Sequence, residues 1–223
     1  MSTLQERLNT DYQAALKGGD RLKVEALRLI KSDLQRLAID AGSPEGMFFP
    51  DTYHFAAGAS DFAILRRAYR LMRMHLETQW AGRTAGLPLA SSYEALILAS
   101  IVEKETGREE DRPLVAAVFV NRLRKGMLLQ ADPTVIYGMG EAFDGNLRKR
   151  DLTADSPYNT YTRTGLPPTP IAMPGLASLM VTLNPPKSDV LYFVSRGDGS
   201  SHFSRTLSEH ERAVTKYQRS GRR

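Results

Sequence analysis

The stretch "LILASIVEKETG", residues 96–107, is apolar on nearly every side for two turns and then places Glu103 and Glu105 one residue apart. Upstream, "SSYE" offers Ser91 and Glu94 as a capping box, so the sequence predicts a helix over 92–106. A helix apolar on all sides belongs in the middle of a core. On a wheel of about 100° per residue, Glu105 falls within the arc of Ala95, Leu98, Ile101 and Val102, whereas Glu103 lies beside Leu96, Ala99 and Ser100. A carboxyl on an apolar surface resists ionisation, and one that keeps its proton near neutral pH can serve as a general acid. The competing reading makes Glu105 the start of a solvated last turn, paired with Arg108 or Arg112. Glu103 and Glu109 read as members of a solvated face or of ion pairs.

Around this helix the pattern predicts an amphipathic helix from Asp61 to Trp80, preceded by the aromatic loop "PEGMFFPDTYHF" at 44–55, whose "FFPDTY" braces the domain. Another helix opens near Pro113, runs through "LVAAVFVNRLRK" and stops at Gly126. "DPTVIYGMG" is a short helix with Asp132 as its N-cap. Residues 153–175 are too rich in Pro, Thr and Tyr for regular structure, and a loop of that length usually has a function. "VLYFVS" and "SHFSRT" flank "RGDGS" as a β-hairpin, after which Ser208 and Glu211 cap a last helix. Residues 1–40 read as a helical hairpin broken at "KGGD", with a domain boundary near Ala41 where the texture turns to Gly, Ser and Pro. Two such short helices cannot bury their apolar stripes alone and must pack on the rest of the chain, on another copy or on a partner. The fold class is therefore α+β: a mostly helical domain over 41–223 with a small hairpin, preceded by helices in 1–40.

At 223 residues and 42% hydrophobic content, the chain can bury a sizeable core. With no cysteine, disulfides, thiolate metal sites and a cysteine nucleophile are excluded. His54, His75, His202 and His210 lack paired ligand spacing, so no metal is expected. No apolar run approaches the ~20 residues of a membrane span, and "MSTLQERLNTDY" is no signal peptide, so a soluble, unexported chain is expected. A net charge of +5 suits a polyanionic partner such as nucleic acid, a membrane surface or an acidic cell-wall polymer, or is simply a solvated basic surface.

Six ordered blocks, "EGMFFPDTY", "ASIVEKET", "VFVNRLRKGMLLQADPTVIYGMG", "YNTYTRTGLPP", "PIAMPG" and "LYFVSRGDGSSHFSRTLSEH", resemble the catalytic domain of the MltG/YceG-like endolytic murein transglycosylases over about residues 44–217. The resemblance implies cleavage of the β-1,4 bond between N-acetylmuramic acid and N-acetylglucosamine without water, leaving a 1,6-anhydro end. Glu105, by its place in "EKET", matches the family's catalytic glutamate. Peptidoglycan glycan strands are then the substrate, the cell-wall synthesis machinery is an implied partner, and the implied location is the cell envelope, at the periplasmic face of the inner membrane. On the sequence pattern, the family's usual membrane anchor and LysM-like region are not expected in this chain.

A sugar groove needs aromatic faces with amide and hydroxyl groups, and "QADPTVIYG" with "YNTYT" supplies Gln130, Asp132, Thr134, Tyr137, Tyr158, Asn159, Thr160 and Tyr161. The alternative places Tyr137 and Tyr161 in the core and leaves Asp132 a cap. The N-terminal hairpin departs from the family and resembles the start of YqeY/GatB-tail-like proteins, which are associated with tRNA-dependent amidation. A nucleic-acid-binding helper is thus one rival, yet the first helix is nearly charge-balanced and no stacking aromatics stand among basic residues. An inactive wall-binding module is another. A pyridoxal-phosphate lyase would need a glycine-rich phosphate loop and a Schiff-base lysine, neither of which is evident, so no cofactor is expected.

Overall fold

The computed structural model describes residues 4–25, 27, 28, 31 and 44–219. The α-helices whose bounds are described are α1 Leu4–Gly18, α2 Asp61–Ala81, α3 Ser92–Glu105, α4 Arg112–Arg124, α5 Asp132–Met139, α6 Lys149–Thr153, α7 Leu176–Leu183 and α8 Leu207–Val214. Strands β1 Tyr192–Ser195 and β2 Ser201–Ser204 pair antiparallel, with Phe193 opposite Phe203. The class is α+β, as the sequence predicts. The domain boundary near Ala41 and most of the second N-terminal helix lie outside the described residues.

Helix α3 is the partition of the fold. Its residues Ala95 to Val102 are all buried, and they face two cores at once. Ala95, Leu98, Ile101 and Val102 join Val115, Phe119 and Val120 of α4, Leu129 and Leu183. Leu96 and Ala99 join Met72 and Leu76 of α2, Leu179 of α7, and Met47 and Phe48 of the aromatic loop. Ser91 caps the helix by accepting from the Glu94 amide at 3.2 Å, while the Glu94 carboxylate accepts from Ala90 N at 2.6 Å. At mid-helix, the buried Ser100 hydroxyl accepts from Ile171 N at 3.0 Å and so fastens the long loop to α3.

Glu103 is not on a solvated face. Its Oε2 accepts from Gly175 N at 3.1 Å and from the Ser178 hydroxyl at 2.6 Å, which places a carboxylate at the positive, N-terminal end of α7. "LASLMVTL", for which the sequence predicts no element, is α7, and it packs against α2, α3 and α4. Two caps also differ from expectation. Thr206 and Glu209, not Ser208 and Glu211, form the capping box of α8. Asp132 is the first residue of α5, whose N-cap is Ala131 without a side-chain hydrogen bond.

The aromatic loop braces the domain from outside: Met47 and Phe48 are buried, and the Tyr53 hydroxyl donates to Phe49 O at 2.6 Å. Gly46 has φ 79°, and a Cβ there would stand 2.6 Å from Pro170 Cβ, so the loop meets the 153–175 segment only because this residue is glycine. In α1, Leu8 packs on the second core. No helix among the described residues is long and apolar enough to cross a membrane.

Truncating Leu98 to Ala should cost about 2–5 kcal/mol, because both flanking helices are held at fixed spacing and cannot collapse into the void. Glu103→Ala should cost about 1–2 kcal/mol through loss of the α7 cap. Urea unfolding checks both, and a Glu103→Ala protein as stable as wild type would show that the cap carries no weight.

Candidate active site

Glu105 is the last residue of α3, and it lines an open cleft of about 400 Å³ together with Arg122, Leu129, Gln130, Asp132, Tyr161, Phe193, Ser195, His210 and Gln218, among others. Five parts of the chain therefore converge on one carboxyl: the ends of α3 and α4, the 129–132 turn, the long loop, strand β1, and α8 with the π-helical turn Thr215–Arg219 that follows it.

The environment of Glu105 keeps it protonated. Burial pushes its pKa from 4.5 up to about 8; the negative charge of Asp132 adds to the rise, and the Arg122 guanidinium opposes it. A carboxyl at a helix C-terminus also faces the negative end of the helix dipole. The alternative pairing fails: Arg108 engages Glu110 at 3.4 Å, and among the described residues neither Arg108 nor Arg112 pairs with Glu105.

Of the residues expected in a sugar groove, Gln130, Asp132 and Tyr161 line the cleft with Glu105. Gln130 is held at φ 53°, an uncommon conformation for a residue with a side chain, by its N–H donating to Thr160 O at 3.0 Å. The Tyr161 hydroxyl donates to Asp132 Oδ1, and burial first, then this bond, raises the tyrosine pKa. The other five stand elsewhere. Thr134 and Thr160 are buried and share a hydroxyl contact of 2.9 Å behind the 129–132 turn. Asn159, 1% exposed, donates through Nδ2 to Asp151 O, Leu152 O and Ala154 O, and accepts from Tyr161 N at 2.9 Å. It acts as a post that aims Tyr161 into the cleft. Tyr137 packs on Tyr158 with ring centroids 4.9 Å apart and donates to Glu45 at 3.0 Å, and both rings border a different hollow beside Asn9 and Thr10 of α1.

Among the cleft residues that no sequence motif singles out are Arg122 and His210. Arg122, inside the apolar "VFVNRLR" helix, donates from Nε to Leu191 O at 2.7 Å and from Nη1 to Leu129 O at 2.8 Å, linking α4 to β1 and to the 129–132 turn. His210 stacks on Tyr192 with ring centroids 5.2 Å apart, and its pKa is lowered by burial first and by Arg122 second. An arginine interrupting an otherwise apolar helix face was the available signal for the first; His210 had none.

This geometry has relatives. The sequence model of the YceG-like family matches residues 2–216. The chain belongs to the YceG-like family. That match takes in the N-terminal helices that the sequence reading set apart. The chain is 41% identical over 174 residues to the endolytic murein transglycosylase of Bacillus subtilis, covering 78% of this chain and 48% of that protein. To the protein of that name from Streptococcus pneumoniae strain D39 it is 32% identical over 178 residues, covering 78% of this chain and 32% of that one. The chain thus spans about half or less of the length of these relatives. A 2.6 Å crystal structure of a YceG-like protein from Listeria monocytogenes superposes with a TM-score of 0.68 at 33% identity, covering 85% of this chain and 67% of that one.

The raised acid has a thermodynamic signature. Because the folded pKa of about 8 exceeds the ordinary 4.5, the folded protein keeps a proton that the unfolded chain releases between those values, so stability falls as pH rises through this window. Glu105→Gln cannot ionise and escapes the loss. Its melting temperature relative to wild type should rise between pH 5 and pH 8, by at least about 2 °C. A difference that stays flat with pH would mean that Glu105 is not a raised acid.

Proposed function

We propose that this YceG-like domain is an endolytic lytic transglycosylase acting on the glycan strands of peptidoglycan in the cell envelope, with Glu105 as its single acid and base. The observation that carries the reading is the Glu105 carboxyl, held protonated at the end of a buried helix and open to a cleft. Substrate occupies that cleft, with Gln130, Asp132 and Tyr161 as the polar and aromatic groups that meet it. By family resemblance the domain works at the periplasmic face of the inner membrane, alongside the cell-wall synthesis machinery.

Glu105 donates its proton to the glycosidic oxygen as the bond to C1 of N-acetylmuramic acid breaks, and positive charge develops on that sugar. The resulting carboxylate accepts the proton of the C6 hydroxyl while the C6 oxygen bonds to C1. The 1,6-anhydro ring closes and Glu105 returns to the acid form. The nucleophile belongs to the same sugar, so its high effective concentration replaces an activated water. Asp132 has two parts to play: its charge helps keep Glu105 protonated before the reaction, and it stabilises the cationic sugar during it. The hydrogen bond from the Tyr161 hydroxyl fixes the Asp132 carboxyl in the cleft.

One observation favours a second reading. Asp132 puts another carboxylate in the cleft, and a pair of carboxyls is the equipment of a hydrolytic glycosidase. Product analysis separates the two. Purified sacculi digested by the wild type should release anhydro-ended muropeptides, and Glu105→Gln should lower that release by about 10²–10⁴-fold. Reducing ends from the wild type would instead establish hydrolysis.

The pH profile tests the role of Asp132. Since kcat/KM requires protonated Glu105, it should decline above about pH 8 in the wild type. Asp132→Asn removes a charge that raises Glu105, so the decline should begin at lower pH. A limb that stays in place would remove Asp132 from the control of Glu105.

A further inference from the structure

Arg122 is a buried cation with no anion. It is 7% exposed, and its acceptors are all neutral: Leu191 O for Nε, and Leu128 O, Leu129 O and the Gln130 side-chain oxygen for Nη1, at 2.7 to 3.3 Å. Among the described residues no carboxylate lies within ion-pair distance of it, the pairs being formed by other arginines. Its Nη2 makes no hydrogen bond to a described residue, and yet it is not sealed from solvent. The guanidinium is held flat by these bonds and by the Tyr192 ring, whose centroid is 5.2 Å away. It borders the same cleft as Glu105. Neither carboxyl of the cleft is paired with it: Asp132 accepts from Tyr161, and Glu105 acts on it only through space.

Desolvating an unpaired charge is costly, and a protein that does so at the wall of a cleft leaves the pairing to whatever enters. Arginine suits that task because its rigid fork presents the remaining N–H groups in a fixed direction to a planar carboxylate.

Resting on the function proposed above, we propose that Arg122 is an anion-binding point of the cleft that takes a carboxylate carried by the muramic acid unit, so that the domain reads charge on the glycan as well as sugar shape. Two parts of that unit can supply the group: the lactyl arm, whose carboxyl is free where no peptide is attached, and the attached peptide, which has free carboxylates of its own.

The test uses the Glu105→Gln protein, which should bind without turnover, and three muramic acid–glucosamine tetrasaccharides measured by calorimetry. One carries free lactyl carboxylates, the second has them capped as methyl amides, and the third has them extended by an alanyl-glutamate dipeptide. A carboxylate ligand should bind about tenfold or more tightly than the neutral amide. Preference for the first ligand assigns the lactyl arm, and preference for the third assigns the peptide. Adding Arg122→Gln should level the three affinities. If that double variant does not fold, the Arg122 guanidinium ¹⁵N resonance in the Glu105→Gln protein should move with the charged ligand and not with the amide. Equal affinity for all three, a preference that survives Arg122→Gln, or an unmoved resonance overturns the proposal. Equal affinities alongside anhydro products from the unmodified protein sink only the anion site; failure of all three ligands to bind, with no cleavage of sacculi, sinks the proposed function itself.

Discussion

A helix that is apolar on every side from Ala95 to Val102 has to be enclosed, and enclosing it takes most of the domain. Helices α2, α4 and α7 pack around α3, the aromatic loop closes the second core from outside, and Ile171 of the long loop bonds to Ser100 in its middle. The C-terminal end is where this enclosure stops, and Glu105 stands there. Its carboxyl is dry enough to hold a proton and open enough to give it away. The desolvation that makes Glu105 an acid is thus the same burial that holds the two cores together.

Several weaker arrangements depend on that position. Asp132 and Arg122 pull the acid in opposite directions, one favouring the proton and the other the carboxylate. A group that must act as acid and then as base in one cycle benefits from such opposition, because neither form is stabilised to the exclusion of the other. Both neighbours are held by contacts from distant segments: Asp132 by Tyr161 of the long loop, and Arg122 by the Leu191 carbonyl beside β1. The hairpin is in turn tied to the start of α4, where Asp111 accepts from Ser201 N at 2.7 Å. The cleft is therefore a junction of parts drawn from distant stretches of the chain.

Glu103 and Asn159 show how a polar residue in a suggestive motif can serve the frame. Glu103 is two residues from the acid, and yet the turn of the helix sends it to the N-terminus of α7. Asn159, in the middle of "YNTYT", spends both ends of its amide on backbone partners around α6 and Tyr161. Removing either would disturb the cleft indirectly, through the element it holds.

What the sequence determined by itself was what depends on local periodicity and chemistry. The central helix and its Ser91 cap, the choice of Glu105 over Glu103 as the residue on the apolar arc, the "RGDGS" hairpin and the α+β class all follow from spacing within a dozen residues. What it could not reveal depends on contacts between segments far apart in the chain. Asp132 looked like a helix cap because an aspartate before proline often is one, and only the approach of Tyr161, 29 residues away, gives it another partner. Asn159, Thr134 and Thr160 have the composition of a sugar site, but their burial is set by how the long loop folds back over the 129–132 turn. Arg122 and His210 enter the cleft because α4, β1 and α8 meet there. Helical periodicity is a property of neighbours in sequence, whereas desolvation and charge pairing belong to neighbours in space, and those are decided only once the core has closed.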